Sequence, residues 1–278
     1  MADLYGRAWN LTVGSQSWSD LRTVFEVKRN LHRHPDPAQI TMYNLSRATR
    51  ASFAQGDSVV LVAGYTGAAG MLFSGQLMDM IVQRDGADWA TTLVCRDGDA
   101  AWKTYISSAF ASSMPLDKAV QYVAGRMGLT VAQASVAQLA GISTQGRIAH
   151  VGLAPDALSK LLEPRGFSWM LQDNTLIIIP NGGSTYEDAV VLNPQTGLVG
   201  SPEPMTDKKI KGFRQGFKRL KLQSLLQPSL TPGRKLQLQS EQYSGIYRID
   251  AAVHRGDSRG QDWYSMVETT HLPIEVPT

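Results

Sequence analysis

Two aspartates flank a glycine directly after a strand-like segment, in the run Asp97-Gly98-Asp99. Carboxylates at this spacing can hold a cation, or can act as acid and base on a glycosidic bond. A calcium-binding loop would continue with further oxygen ligands, but residues 100–102 are Ala-Ala-Trp. The pattern therefore favours a turn at this position over a catalytic or metal-binding pair.

Histidine is the other residue type whose spacing suggests chemistry. His32 and His34 lie two residues apart, so both side chains would reach one metal ion from the same face of a strand. They precede a Pro-Asp-Pro run, which predicts a loop, and no third ligand is apparent nearby. His150 and His254 stand alone, and the segment around His254 predicts the end of a strand.

Motifs that mark common enzyme classes are absent from the sequence. It contains no nucleophile elbow of the form Gly-x-Ser-x-Gly and no metal-binding His-Glu-x-x-His motif. The glycine-rich segment 64–70 leads into a predicted strand, so no helix N-terminus would face a phosphate. We therefore predict a protein without catalytic residues, bound metal or cofactor.

The strongest charge pattern is a basic segment, residues 208–221, which contains no acidic residue. Phe213 and Phe217 are interleaved with its cations, an arrangement that can hold a nucleic-acid backbone and stack bases. An acidic protein surface is an equally suitable partner. We predict a partner-facing segment here, with nucleic-acid binding as an alternative. The candidate contact residues are Lys208, Lys209, Lys211, Arg214, Lys218, Arg219 and Lys221.

The composition indicates a globular chain with an unusually small share of charge. Of its 278 residues, 43% are hydrophobic and 18% are charged, and the net charge at pH 7 is +3. This apolar share is enough for folding, and the near balance of charge does not indicate a dedicated nucleic-acid binder. Depletion of charge is typical of surface that is buried against partners.

Cys95 is the only cysteine in the sequence, which excludes an intramolecular disulfide and a zinc–thiolate cluster. It lies in an alternating segment and is predicted to be a buried strand residue. No signal peptide is recognisable, and the longest apolar runs are far shorter than the ~20 residues of a membrane-spanning helix. We expect a soluble protein that is made in a cytoplasm.

Hydrophobic periodicity separates two β regions from a mixed segment. Alternating apolar and polar residues predict strands through most of residues 1–112. Residues 113–182 carry two helical stripes followed by two strand-like segments, and predict an inserted α+β module. Residues 183–207 are rich in turn-forming residues and predict a connection, and strands resume across residues 208–278.

The two β regions share an ordered set of landmarks. One set runs from Gly56 to Trp89 and the other from Gly233 to Trp263, and each closes on Gly-x-Asp-Trp. The Gly and Asp are expected to turn a hairpin, and the Trp to anchor the next strand in the core. The order and spacing predict a duplicated β-barrel-like unit, with chance recurrence of turn residues as the alternative. The predicted repeat anchors are Gly86, Asp88, Trp89, Gly260, Asp262 and Trp263.

Several runs resemble the tail hub proteins of long-tailed bacteriophages. They are Gly-Asp-Ser-Val at 56–59, Leu-Phe-Ser-Gly at 72–75, Asp88-Trp89, Cys-Arg-Asp-Gly at 95–98, the segments 225–234 and 245–249, and the His-x-Gly-Asp and Asp-Trp-Tyr motifs that begin at His254 and Asp262. The resemblance covers roughly residues 8–110 and 220–270, and residues 115–180 more loosely.

The resemblance implies a β-rich α+β fold, with two related tube-like β-barrel or β-sandwich domains and an inserted small α+β module. It implies a structural virion protein, a homotrimeric ring whose six units join the six-fold tail tube to the three-fold central spike. The implied partners are a tail tube or distal tail protein, the central spike protein and other baseplate proteins. No membrane contact is implied, and DNA only passes through the lumen. The implied location is the phage tail, baseplate or tail tip, after assembly in the host cytoplasm.

Two alternatives from other functional classes stay open at this point. One is a tail-associated peptidoglycan-degrading enzyme that uses Asp97, Asp99 or Glu163. The other is a nucleic-acid-binding protein that uses the basic segment 208–221, for which the hub resemblance offers no counterpart. The sequence also ends soon after the second β unit, so we do not expect a large C-terminal spike-binding domain.

Overall fold

The structure, a computed structural model, describes residues 5–31, 35–185, 187–205 and 219–272. These residues fall into two compact units. The first takes its residues from Met1–Asn30, Asp36–Cys95 and Glu187–Thr278, and the second from Leu31–Pro35 and Arg96–Tyr186. Strands dominate the described residues, so the prediction of a β-rich chain is confirmed.

The first unit consists mainly of β-strands. Its strands are β1 (Arg7–Val13), β2 (Gln16–Trp18), β3 (Thr23–Asn30), β4 (Pro37–Tyr43), β5 (Ser58–Tyr65), β6 (Gly70–Asp85), β7 (Asp88–Arg96), β13 (Val190–Leu192), β14 (Leu198–Pro204), β15 (Arg219–Leu225), β16 (Lys235–Gln239), β17 (Ser244–Asp257) and β18 (Trp263–His271). Its helix is α1 (Arg47–Ala51), which begins after Ser46, whose hydroxyl accepts a hydrogen bond from the Thr49 N–H.

The second unit contains both helices and strands. Its elements are α2 (Asp99–Trp102), β8 (Tyr105–Phe110), α3 (Leu116–Arg126), β9 (Thr130–Val131), α4 (Gln133–Gln138), β10 (Ile148–Leu153), α5 (Ala154–Leu162), β11 (Phe167–Gln172) and β12 (Thr175–Pro180). The apolar stripes of α3 and α5 are buried in one core with Trp169 of β11. The Trp169 Nε1–H donates to the Ser159 hydroxyl, so its polar edge is satisfied inside that core.

All thirteen strands of the first unit belong to one sheet. The order is β14-β15-β18-β17-β3-β4-β7-β6-β5-β1-β2, with β16 beside β17 and β13 beside β16. Strand β17 has room for two neighbours on one edge because it is 14 residues long. Its first part pairs with β16, and its second part pairs with β3 from the start of the chain.

The strands before the module and the strands after it have the same order of neighbours. Starting from β3, the order is β4, β7, β6, β5 and β1. Starting from β14, the order is β15, β18, β17, β16 and β13. One pairing differs in direction, since β1 runs antiparallel to β5 and β13 runs parallel to β16.

Each half of the sheet buries its own apolar cluster. The cluster of the first half includes Leu11, Phe25, Ile40 and Leu61, and the cluster of the second half includes Leu220, Leu236, Tyr247 and Ile249. Two residues from the end of the chain, Leu226 and Trp263, belong to the first cluster. Burial on alternate strand positions follows the alternation in the sequence.

Two predicted boundaries differ from the structure. The module was predicted to begin at residue 113, whereas the second unit begins at Arg96, because β8 pairs along its whole length with β10. Residues 183–207 were predicted to be a connection, but they contain β13 and β14, which pair with β16 and β15. Strand β14 contains Gly200, Pro202 and Pro204, which are typical of a loop, so the sequence did not predict a strand there. Such residues are tolerated in an edge strand.

Candidate assembly interface

The junction between the two halves of the sheet is an antiparallel pairing of β3 with β17. Seven pairs of residues oppose each other, from Asn30 with Ala251 to Val24 with Asp257. On the exposed face, the Glu26 carboxylate lies 2.6 Å from Arg255 Nε and 2.7 Å from Lys28 Nζ. Hydrogen bonds from Lys28 and Arg255 lower the pKa of Glu26. The junction is therefore held by a main-chain ladder and by a charged network above it.

Trp263 anchors this junction from the core side. Only 3% of it is exposed, and its Nε1–H donates to the Gly64 carbonyl oxygen at 3.0 Å. Its ring meets Phe25 edge to face with centroids 5.5 Å apart, and the Arg7 guanidinium lies 5.3 Å from the ring centroid. The predicted role of Trp263 as a core anchor agrees with this burial, but the core is that of the other half of the sheet.

The loop from Asp257 to Asp262 closes the β17–β18 hairpin and is tied to the first strands of the chain. The Asp257 N–H donates to the Asp262 carbonyl oxygen at 2.7 Å. Arg22 Nη2 lies 2.8 Å from the Asp257 carboxylate, and Arg7 donates to main-chain oxygens of the loop. Burial alone would raise the pKa of Asp257, but hydrogen bonds from Arg22 and from main-chain N–H groups lower it.

Gly260 is required in this loop by close packing. A Cβ atom at position 260 would lie 2.3 Å from the Asp257 Oδ2 atom, which is far closer than real contacts allow. Gly86, its predicted counterpart, has a different requirement, because its φ of +61° is a left-handed conformation that side chains disfavour. Both glycines lie in hairpin turns, and each is favoured there for a different physical reason.

Trp89 is placed differently from the prediction. It was expected in the core, but 44% of it is exposed, and the guanidinium groups of Arg50 and Arg84 each lie 5.6 Å from its ring centroid. Its main chain is fixed by Asn44, which donates to the Trp89 carbonyl oxygen and accepts from the Trp89 N–H. The Asn44 amide also donates to Asp88 Oδ1 at 2.9 Å. The main chain of the turn is held by these bonds, but no strand or loop among the described residues covers the indole ring.

His254 lies in the middle of the junction, within β17 and not at the strand end that was predicted. Its side chain is fully buried, and Nδ1 is 2.8 Å from the Ser265 hydroxyl. Burial, with a smaller contribution from the positive charge of Arg29, lowers the pKa of His254 to about 3. The imidazole is therefore neutral at physiological pH and packs as a structural residue.

Of the predicted basic contact residues, Lys208, Lys209, Lys211, Arg214 and Lys218 lie outside the described residues. Arg219 and Lys221 lie on β15, where Arg219 Nη2 is 3.5 Å from Glu268 Oε2. Lys221 opposes Glu268 across the β15–β18 pair. The described end of the basic segment is thus part of a strand whose charges have acidic neighbours.

The acidic residues of the enzyme alternative are held in structural contacts. Asp97 Oδ2 accepts the Asp173 N–H at 2.7 Å, and Asp99 Oδ2 lies 2.5 Å from Lys103 Nζ. Glu163 is exposed, in a single turn of 3-10 helix that follows α5. Across the parts of the chain that the structure covers, no group of three His, Cys, Asp or Glu residues is arranged to hold a metal. His32 and His34 are outside those parts.

Cys95 is fully buried in β7, as predicted, and burial raises the pKa of its thiol to about 12. The thiol is therefore protonated and unreactive at neutral pH. Among the described helices, none has both the length and the apolar character needed to cross a bilayer.

Comparison with known proteins gives matches only at the level of structure. No family model matches the sequence, and no curated protein matches it either. The structure is similar to a tail protein from Neisseria meningitidis MC58, with a TM-score of 0.67 and 12% identity over 96% of this chain and 97% of that one. It is also similar to the 43 kDa tail protein of prophage MuSo2 from Shewanella oneidensis, with a TM-score of 0.68 and 12% identity over 96% and 98% of the two chains. The chain has the fold of bacteriophage tail proteins.

This fold extends to a related secretion machine. The Escherichia coli protein c3393, a component of the type VI secretion system, matches with a TM-score of 0.61 and 12% identity over 96% of this chain and 80% of that one. That protein is described as structurally similar to the phage T4 tail proteins gp27 and gp5. The resemblance stated from the sequence motifs is therefore confirmed at the level of the fold.

Sequence reasoning missed Arg7 and Arg22, which tie the β17–β18 loop to the N-terminal strands. Their partners lie more than 200 residues away along the chain, so no local pattern marks them. The one signal in the sequence was the repeated set of landmarks, because two similar hairpins are expected to have similar neighbours.

Proposed function

We propose that this protein is a structural component of a phage tail, a baseplate or tail-tip hub without a catalytic role. In this proposal three copies form a ring that joins the six-fold tail tube to the three-fold central spike. Each copy contributes two tube-like β domains, which come before and after the inserted module in the sequence. The proposal places the protein in the virion, with the tube, the spike and neighbouring baseplate proteins as its partners.

The observation that supports the proposal is that six strands of each half of the sheet have the same order of neighbours, although the β1–β5 and β13–β16 pairings differ in direction. Main-chain hydrogen bonds also occur at matching places. The Gly56 N–H donates to the Leu77 carbonyl oxygen at 2.8 Å, and the Gly233 N–H donates to the Ile249 carbonyl oxygen at 2.7 Å. Leu77 and Ile249 are therefore equivalent positions on β6 and β17.

The hairpin turns and the strands before them correspond in the same way. The Asn44 N–H donates to the carbonyl oxygen of Trp89, and the Leu226 N–H donates to that of Trp263. The agreement extends to the segments at β3 and β14. The Tyr43 N–H donates to the carbonyl oxygen of Arg22, and the Leu225 N–H donates to the carbonyl oxygen of Gly197. A unit that occurs twice per chain supplies six units from three chains, which is what a six-fold tube requires of a three-fold ring.

The stoichiometry of the purified protein tests the proposal. We expect a trimer by light scattering and by native mass spectrometry across a micromolar concentration series, and a closed ring in electron micrographs. A monomer throughout that series, both alone and with a tail tube protein added, would contradict the proposal. Hydrolysis of purified cell walls by the wild-type protein, lost in an Asp97→Ala and Asp99→Ala double variant, would favour the enzyme alternative instead.

A further inference from the structure

The second part of β17 has an equivalent on β6 that lacks a neighbouring strand. Because Leu77 corresponds to Ile249, residues 79–85 correspond to Ala251–Asp257, the seven residues that pair with β3. On β6, the pairing with β5 ends at Gln76. Beyond that residue, no strand of the described chain occupies this edge of β6.

Burial differs sharply between the two equivalent segments. Every residue of Ala251–Asp257 is buried or half-buried, whereas every residue of 79–85 except Met80 is exposed. The exposed side chains include Ile81 and Val82, which are 48% and 39% exposed. Trp89, the equivalent of the buried Trp263, lies next to the turn of the same hairpin. An unpaired strand edge beside exposed large apolar residues is a template for another strand.

A second strand edge in the described residues also lacks a partner, and it is the edge that would be needed to pair with residues 79–85. Strand β14 is the equivalent of β3, and it ends the sheet in the described residues, so only β15 pairs with it. Val24 of β3 opposes Thr41, and Val199 of β14 opposes Gln223 at the matching position. Val199 is exposed on β14. The two edges that lack partners are therefore equivalent to the two edges that form the junction inside the chain.

We propose that a second copy of this chain docks its β14 against residues 79–85 of β6. Since Asp257 opposes Val24 within the chain, Asp85 opposes Val199 of the second copy, and Trp89 is covered as Trp263 is covered. The proposal rests on the proposed ring and specifies its contacts. Junctions of β3 with β17 inside each chain then alternate with junctions of β14 with β6 between chains.

Two prolines limit the main-chain ladder in this contact. Pro202 and Pro204 have no N–H group, so the ladder is confined to the part of β14 before them, next to the bulge between Val199 and Glu203. The rest of the contact is made by side chains, and Ile81, Val82 and Trp89 are the apolar groups available. An aromatic ring flanked by arginines, as Trp89 is by Arg50 and Arg84, is the composition that concentrates binding energy at interfaces.

A cysteine pair across the predicted contact tests the docking directly. We expect Asp85→Cys combined with Val199→Cys to give covalent species up to a closed trimer in oxidised, non-reducing gels, because opposed residues of antiparallel strands lie within disulfide range. The native Cys95 is buried and does not interfere. Asp85→Cys combined with Val151→Cys, an exposed valine of β10, is the matched control.

The outcomes separate this contact from the ring itself. A trimer by light scattering with no cross-linking above the control overturns the docking surface and leaves the ring in place. A cross-linked dimer or open chain without a closed trimer supports the docking surface and contradicts the three-fold ring. A monomer without cross-linking overturns both. If Trp89 becomes shielded from solvent only after another baseplate protein is added, that protein is the occupant and the second copy is ruled out.

Substitution of Trp89 provides an independent readout. Trp89→Ala is expected to weaken self-association more than about tenfold while the thermal midpoint of the separated monomer stays unchanged. Tyr105→Ala removes another exposed aromatic side chain, on β8, and is expected to leave self-association unchanged. Equal association of both variants and the wild type would overturn the proposal.

Discussion

The β6–β7 and β17–β18 hairpins make matching main-chain bonds to the strands beside them and share the same closing motif, yet their surroundings are opposite. Around the second hairpin, β3 pairs with the strand, Arg7 and Arg22 hold the loop, and Trp263 is buried. Around the first, no strand in the described part of the chain pairs with residues 79–85 on the edge away from β7, and Trp89 is exposed. Among the described residues, β3 covers the second hairpin and no strand covers the equivalent part of the first.

Truncation of the two tryptophans should give the largest contrast. We expect Trp263→Ala to lower the free energy of unfolding by about 3–5 kcal/mol, because it empties a core site and removes the partner of the Gly64 carbonyl oxygen. We expect Trp89→Ala to change the monomer by less than about 1 kcal/mol. Urea unfolding of both variants, below the concentration at which they associate, measures the comparison. Equal losses would mean that the two hairpins are equally supported within the chain.

The histidine at the junction should make its stability depend on pH. The folded pKa of His254 is about 3 and lies below the unfolded value, so the stabilisation is complete above the unfolded pKa and is lost as the pH falls towards 3. We expect a loss of a few kcal/mol between pH 7 and pH 4 in the wild type, with a shallower slope in His254→Gln. Val82→His places a histidine at the equivalent, exposed position on β6 and should add no such slope. Parallel slopes in all three proteins would show that His254 is not buried as described.

The hairpin glycines should respond to different extents. Gly260→Ala forces a Cβ atom against Asp257 and is expected to cost about 1–3 kcal/mol. Gly86→Ala meets no atom within 4 Å and should cost about 1 kcal/mol, from its positive φ alone. Thermal unfolding of the two variants gives the order, and a larger loss for Gly86→Ala would contradict the packing described for the second loop.

The Arg22–Asp257 ion pair should have the smallest effect. Because 39% of the Arg22 side chain is exposed, we expect Arg22→Ala to cost only about 0.5–1 kcal/mol, and less at high salt. Its equivalent position, Gly197, has no side chain to make such a pair. Unfolding at low and high salt provides the measurement, and a salt-independent loss above about 2 kcal/mol would show that Arg22 acts mainly through packing.

Local patterns were sufficient for much of the fold. The alternation of apolar residues located the strands of the first half, and the stripes of α3 and α5 located the helices of the module. The landmark sets from Gly56 to Trp89 and from Gly233 to Trp263 marked two hairpins whose main-chain bonds to neighbouring strands occur at matching places. These features depend on neighbours that are close in sequence, and for that reason the sequence displays them.

The remaining features depend on contacts between distant parts of the chain. The same Gly-x-Asp-Trp motif leads to a buried tryptophan at position 263 and an exposed one at position 89, because β3 covers only one hairpin. Strand β14 was missed because its prolines and glycine are typical of a loop, although its outer edge needs no N–H donors within the chain. The candidate interface is therefore visible only when the paired and unpaired strand edges are compared.

The placement of Trp263 and Leu226 in the first apolar cluster also affects how the protein is made. The residues they pack with, such as Leu11, Phe25 and Leu61, leave the ribosome long before them. The core of the first half is therefore incomplete until residues 226 and 263 have been made, and contacts this distant in sequence form slowly. During synthesis the nascent chain carries an open core and a free β3 edge, so nascent chains on neighbouring ribosomes are exposed to mispairing until residue 263 has emerged.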